Sequence, residues 1–125
     1  MKNQFFKGKV IEGFKLGRKI GIPTANLDPK VFKSDWKKGV YAVEVSIGDN
    51  FDKKYLSVLF YGPKTIAHET KNSLELHIID FDENIYGQEI SVSLLKFIRG
   101  VMIFSDVKSL VVQIQKDIEV AKNSI

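Results

Sequence analysis

The sequence contains no cysteine, which excludes disulfide bridges, thiol nucleophiles and cysteine-ligated zinc. Histidine is nearly as scarce, with only His68 and His77 present, so a histidine-rich metal site is not expected either. No apolar run approaches the roughly 20 residues that a helix needs to cross a bilayer. The opening Met1-Lys2-Asn3-Gln4-Phe5-Phe6 lacks the apolar stretch and small-residue cleavage site of a signal peptide, and the expectation is a cytoplasmic protein. Internal repeats, low-complexity tracts and Pro/Ser-rich linkers are also missing, so residues 1–125 read as a single domain. Arginine is the last scarcity. Of 19 basic residues only Arg18 and Arg99 carry a guanidinium, the group best suited to bidentate recognition of phosphates and carboxylates.

What is present is a globular balance of 44% hydrophobic and 27% charged residues, with the charge unevenly spread. Residues 1–38 hold ten Lys or Arg against three acids, whereas residues 39–125 hold nine against twelve. The net charge of +4 therefore hides a basic first third, where an anionic ligand should bind.

Hydrophobic period indicates mostly strands. Tyr41, Val43, Val45 and Ile47 alternate with smaller or polar residues, predicting a half-buried strand from Gly39. Gly48-Asp49-Asn50 supplies a turn, and Lys54 to Tyr61 resumes an extended pattern that ends at Gly62-Pro63, which makes a hairpin. Ser73 to Ile79 predicts a further strand with Leu74, Leu76 and Ile78 on its core face and Glu75, His77 and Ile79 on the other. Glu89 to Ile98 and roughly Phe5 to Ile11 bring the count to at least five. Helical spacing appears only at the end, in Val107, Leu110, Val111, Ile114, Ile118 and Ala121, with Ser105 as candidate N-cap. Close-spaced strands followed by one helix predict a small antiparallel barrel capped by that helix. Val101 and Ile103 are expected to help dock it.

Three places invite chemistry. Gly13 to Leu27 follows a strand, contains three glycines with basic and hydroxyl groups, and closes on Pro23. Such a segment is either a solvated glycine loop or a phosphate cradle, since glycines let backbone N–H groups approach an oxyanion. It matches neither the P-loop nor the Gly-x-Gly-x-x-Gly pattern. Glu75 lies mid-strand among apolar neighbours and is either an outward surface carboxylate or a base that accepts a proton from an alcohol nucleophile. Arg99 precedes Gly100 and an apolar run to Phe104; a flat heterocycle against Phe104, with Arg99 bonding its polar groups or a phosphate, is one reading and a docking segment is the other.

The run Gly13-x-x-x-Gly17-Arg18-x-x-Gly21-Ile22-Pro23-Thr24-Ala25-Asn26-Leu27 resembles the nucleotide loop of riboflavin kinases. Gly39-Val40-Tyr41-Ala42, Leu74-Glu75-Leu76-His77, Tyr86-Gly87, Phe97-Ile98-Arg99 and Leu110-x-x-Gln113-Ile114-x-x-Asp117 follow in the family's order. The resemblance implies a mainly β fold, a six-stranded antiparallel Greek-key barrel with a C-terminal α-helix. It further implies transfer of the γ-phosphoryl of ATP to the 5′-hydroxyl of riboflavin, giving FMN and ADP. By the same resemblance Glu75 is the general base. Gly13, Arg18, Thr24, Asn26, Ile78 and Tyr86 meet the nucleotide, Thr24 and Asn26 hold Mg²⁺, and Arg99 and Phe104 meet the flavin. The sequence departs from the family's pattern at Gly100-Val101-Met102, where Pro-Glu and a polar residue are usual, and at Phe60, where Asn is usual.

The expected partners are therefore the small molecules ATP and riboflavin, with no nucleic acid and no membrane, and the expected state is a monomer that stops at FMN. The alternative is a non-catalytic flavin- or nucleotide-binding module.

Overall fold

The structure, a computed structural model, describes residues 4–11, 22–63, 71–81 and 83–124. Five strands form where the alternating pattern predicts them, together with one that is too short for periodicity to reveal. They are β1 (Phe5–Ile11), β2 (Ala25–Leu27), β3 (Gly39–Ile47), β4 (Asn50–Pro63), β5 (Asn72–Ile78) and β6 (Glu89–Arg99), and α1 (Val107–Lys122) follows. A short 3₁₀ turn, Pro29–Val31, is capped by Asp28, whose carboxylate accepts from the Lys30 N–H at 3.0 Å.

The strands close into a barrel in the order β1-β2-β5-β4-β3-β6, and every adjacent pair is antiparallel. Strands β3, β4 and β5 form a meander, and β6 returns to lie beside β3, which is a Greek key. Closure gives every described strand a neighbour on both sides. The turn between β3 and β4 places Gly48 at φ 59°, a left-handed conformation that glycine adopts without steric cost.

The inward residues are those of the period-two pattern: Phe6 and Val10 from β1, Leu27 from β2, Tyr41, Val43 and Val45 from β3, Leu59 and Tyr61 from β4, and Leu74, Leu76 and Ile78 from β5. One end is plugged by rings. Phe32 stacks on Tyr61 with centroids 4.3 Å apart and meets Trp36 and Tyr41 edge-on. The Tyr41 hydroxyl donates to the Lys37 carbonyl at 2.6 Å, and burial pushes its pKa up.

Strand β3 departs from the half-buried expectation. Its outward Val40 and Ala42 are covered as fully as its inward residues, because they form a second apolar cluster with Val58, Phe60, Ile118 and Ala121 beneath α1. Two expectations for the helix region are corrected. The N-cap is Asp106 and not Ser105: its carboxylate accepts from the Ser109 N–H at 2.7 Å, and that bond holds its pKa below the usual carboxylate range. Ile103 does not dock the helix, being 83% exposed; the docking comes from Ile118 and Ala121 further along. Among the described residues no helix is long and apolar enough to cross a membrane.

Candidate active site

Strand register places Asn26, Glu75 and Arg99 on the outside of the barrel. Leu74, Leu76 and Ile78 point inward, so Glu75 and His77 point outward and are only half-buried. Glu75 faces Asn26 of β2 on one side and Phe60 of β4 on the other. Phe60 is opposite Val40, and Val40 is opposite Arg99. Ile11, the last residue of β1, is opposite Asn26. One row therefore crosses the sheet as Ile11, Asn26, Glu75, Phe60, Val40 and Arg99, although these residues are scattered over 89 positions of sequence from first to last. Directly opposed side chains have Cβ atoms about 5 Å apart, so Asn26 and Glu75 are close neighbours on the outer face.

His77, for which the sequence suggested no role, lies one row away and contacts the segment that leads into β2. Its Nδ1 lies 2.9 Å from the Pro23 carbonyl oxygen. A carbonyl only accepts, so Nδ1 donates. The bond ties the Pro23-Thr24 segment to β5 two residues beyond Glu75, holding half-buried Thr24 beside Asn26. The sequence signal was the shared parity of residues 75 and 77; the partner 54 positions away was not visible.

At the other end of the row Arg99 is engaged by the helix. Its Nε donates to both carboxylate oxygens of Asp117, at 3.0 and 3.1 Å, and its Nη2 donates to Oδ2 at 2.8 Å. Asp117 is 2% exposed and also accepts from Gln113 Nε2 at 3.1 Å. The Arg99 guanidinium lies over the Phe104 ring, 6.0 Å from its centroid. This constellation explains why the Gln113 and Asp117 spacing belongs to the motif: both stand on one helix face aimed at Arg99.

The remaining predicted residues divide. Tyr86 is 63% exposed in a turn stitched to β1, where the Gly87 N–H donates to the Val10 carbonyl and the Val10 N–H donates to that of Gln88. It thus flanks the end of β1 from which the glycine segment departs. Ile78 is 5% exposed and packs inward, on the face of β5 opposite Glu75, so its side chain belongs to the core and not to the row. Gly13 and Arg18 lie outside the described residues. Phe60 contributes an apolar surface between Glu75 and Val40 where a polar partner was usual in the resemblance. A separate cavity of about 210 Å³, lined by Ile47, Tyr55, Phe81 and Asn84 among others, contains none of the predicted residues.

Comparison with known proteins identifies the family and the fold. The family model described as Flavokinase: Riboflavin kinase matches residues 1–125. A bifunctional riboflavin kinase/FMN adenylyltransferase of Buchnera aphidicola is 39% identical over 92% of this chain and 36% of its own length. An RNA-binding riboflavin kinase of Bacillus subtilis is 40% identical over 89% of this chain and 46% of its own. The human riboflavin kinase is 34% identical over 97% of this chain and 80% of its own. The chain thus spans less than half the length of the bacterial relatives named here. The solved riboflavin kinase of Trypanosoma brucei superposes with a TM-score of 0.68 at 20% identity, covering 95% of this chain and 74% of that one, and so shares the fold. With a family model spanning its full length and a relative covered over four-fifths, the chain belongs to the riboflavin kinase family.

Proposed function

We propose that this chain transfers the γ-phosphoryl group of ATP to the 5′-hydroxyl of riboflavin, giving FMN and ADP. The observation that carries this reading is the cross-strand pair of Asn26 and Glu75, with Thr24 held nearby by His77. The hydroxyl oxygen attacks the γ-phosphorus, the bond from that phosphorus to the β-bridging oxygen breaks, and the hydroxyl proton passes to the Glu75 carboxylate. Phosphoryl transfer asks a protein chiefly for positioning and charge stabilisation, and a half-buried carboxylate beside neutral oxygen donors supplies the first.

The donor set fits Mg²⁺. Among the described residues no three His, Asp or Glu cluster as a metal site, but Mg²⁺ keeps several waters and takes ligands from substrate phosphates. The Thr24 hydroxyl and the Asn26 side-chain oxygen are the groups that would hold it, and it would neutralise charge on the transferring phosphates. The basic excess of residues 1–38, including Arg18 of the glycine segment, fits a polyphosphate ligand. In this reading the partners are ATP and riboflavin with no nucleic acid, the protein is a monomer of the cytoplasm, and the product is FMN.

Separation of FMN after incubation with riboflavin and Mg-ATP tests the proposal. FMN should accumulate, and Glu75→Gln should lower kcat by roughly 10²–10⁴-fold with ATP binding retained. Tight FMN binding with no phosphorylation would identify a binding module instead, and unchanged turnover in Glu75→Gln would remove that residue from the base role.

A further inference from the structure

Strand β5 is a seam on the outside of the barrel. On its β4 side Val58 is opposite His77 and Phe60 is opposite Glu75, and both pack with Val40, Ile118 and Ala121 in the apolar cluster beneath α1. On its β2 side Asn26 is opposite Glu75, and the His77 ring bonds the Pro23 carbonyl beside Thr24. Glu75 thus has an apolar flank and a polar flank. Phe60 forms the apolar flank at the level of the carboxylate, and its ring is braced. Its Cζ lies 3.4 Å, and Val101 Cγ2 3.0 Å, from the point where a Cβ on Gly62 would stand, so the two side chains meet over bare β4 backbone. Phe60 is half-buried like Glu75 itself, which puts the edge of the covered cluster at the carboxylate.

We infer that Phe60 is a specificity-determining residue that denies water the place of the alcohol acceptor. This rests on the reading of Glu75 as the group that takes the acceptor proton. Water carries the same O–H bond and is the competitor that phosphoryl transfer to an alcohol must exclude. A water seated at Glu75 would attack the γ-phosphorus through its oxygen. The bond from that phosphorus to the β-bridging oxygen would break, the water proton would pass to the Glu75 carboxylate, and the products would be ADP and inorganic phosphate. An ordered water needs about two to four polar partners. The side chains of Val58 and Phe60 offer none, so a water on the β4 flank is left with the carboxylate. The polar groups that could hold one stand on the β2 flank, where the bound donor engages Thr24 and Asn26. An alcohol tethered to a larger bound molecule is positioned by the rest of that molecule and does not depend on the β4 flank to hold its hydroxyl.

The experiment measures ADP and FMN from the same Mg-ATP reactions, with and without riboflavin, together with the melting temperature of each protein. The wild type should form ADP and FMN in equal amounts and release little ADP without riboflavin. Phe60→Ser opens the apolar flank and places a hydroxyl in it. Its ADP release without riboflavin should rise by about tenfold, the low end of what a pocket contact contributes to discrimination, and ADP should exceed FMN when riboflavin is present. Phe60→Leu stays apolar and should keep ADP and FMN equal. Phe60→Thr suits an extended strand and takes the place of Phe60→Ser if that protein does not fold. A lower melting temperature with ADP and FMN still equal would make Phe60 a packing residue only, and equal leakage from Phe60→Ser and Phe60→Leu would make the effect one of lost volume; either result overturns the inference. A wild type that makes FMN while the polar variants stay coupled overturns this inference alone, whereas failure of the wild type to make FMN from riboflavin overturns the proposed function with it.

Discussion

Glu75 and Leu76 are neighbours in β5 and belong to different parts of the molecule. Leu76 is fully enclosed in the barrel interior, among side chains that are almost all aliphatic or aromatic. Glu75 stands half-buried on the outside, in a row with Asn26 and Phe60 and near His77. The interior supplies burial, at about 25 cal/mol per Å² of apolar surface removed from water. The exterior under and beside α1 mixes apolar cover with an ion pair whose carboxylate is buried, Arg99 with Asp117. Stability thus resides mainly inside and the proposed chemistry outside, and a single strand carries both by alternation.

That division can be broken by substitution. Leu76→Ala should cost about 2–5 kcal/mol of stability by opening a cavity in a packed core, read as a fall in denaturant midpoint, while kcat per folded molecule stays close to wild type. Glu75→Gln, one residue away, should show the reverse: lost turnover with little change in that midpoint. If both substitutions reduced stability alike, the separation of faces would be wrong. His77→Leu sits on the boundary. It removes the bond to Pro23 and should cost roughly 1 kcal/mol of stability together with a several-fold rise in KM for ATP, because Thr24 loses its tether; an unchanged KM would make His77 purely structural. The smallest effect belongs to the one polar intrusion from β4 into the interior. The Ser57 Oγ is buried with no hydrogen-bond partner among the described residues, so Ser57→Ala should be neutral or stabilising by up to about 1 kcal/mol, measured by chemical denaturation.

The strands with clean alternation, β3 to β6, were legible from sequence to within a residue or two at most ends, β4 beginning a few residues earlier than its pattern showed. Strand β2 was not, since Ala25-Asn26-Leu27 offers one alternation and follows a proline; its extended form comes from pairing with β1 and β5 on either side. The candidate residues were legible as types, but Ile78 shows the limit. Parity alone assigned it to the core face, the family likeness to the nucleotide, and its burial places its side chain with the core. Asp117 was visible only as part of a motif, because a carboxylate at an otherwise apolar helix position has meaning once Arg99 is opposite it. The N-cap passed from Ser105 to Asp106 because adjacent oxygen-bearing residues are equivalent in a pattern and differ only in backbone geometry.

By itself the sequence determined which residues alternate, where chain direction reverses at Gly48 and Gly87, that a single amphipathic helix ends the fold, and that basic charge gathers in residues 1–38. These are local properties, readable because strand and helix impose periods of 2 and 3.6 on side-chain direction. Only the tertiary structure decided that Asn26, Glu75, Phe60 and Arg99 form one row, that His77 holds Pro23, and that Asp117 claims the Arg99 fork. Strand order and register fix these, and both are set by the closure of the barrel around its core. A shift of one residue in the register of β5 would turn Leu76 out to water and Glu75 into the core, so the packing of the inner face is what aligns the proposed chemistry on the outer one.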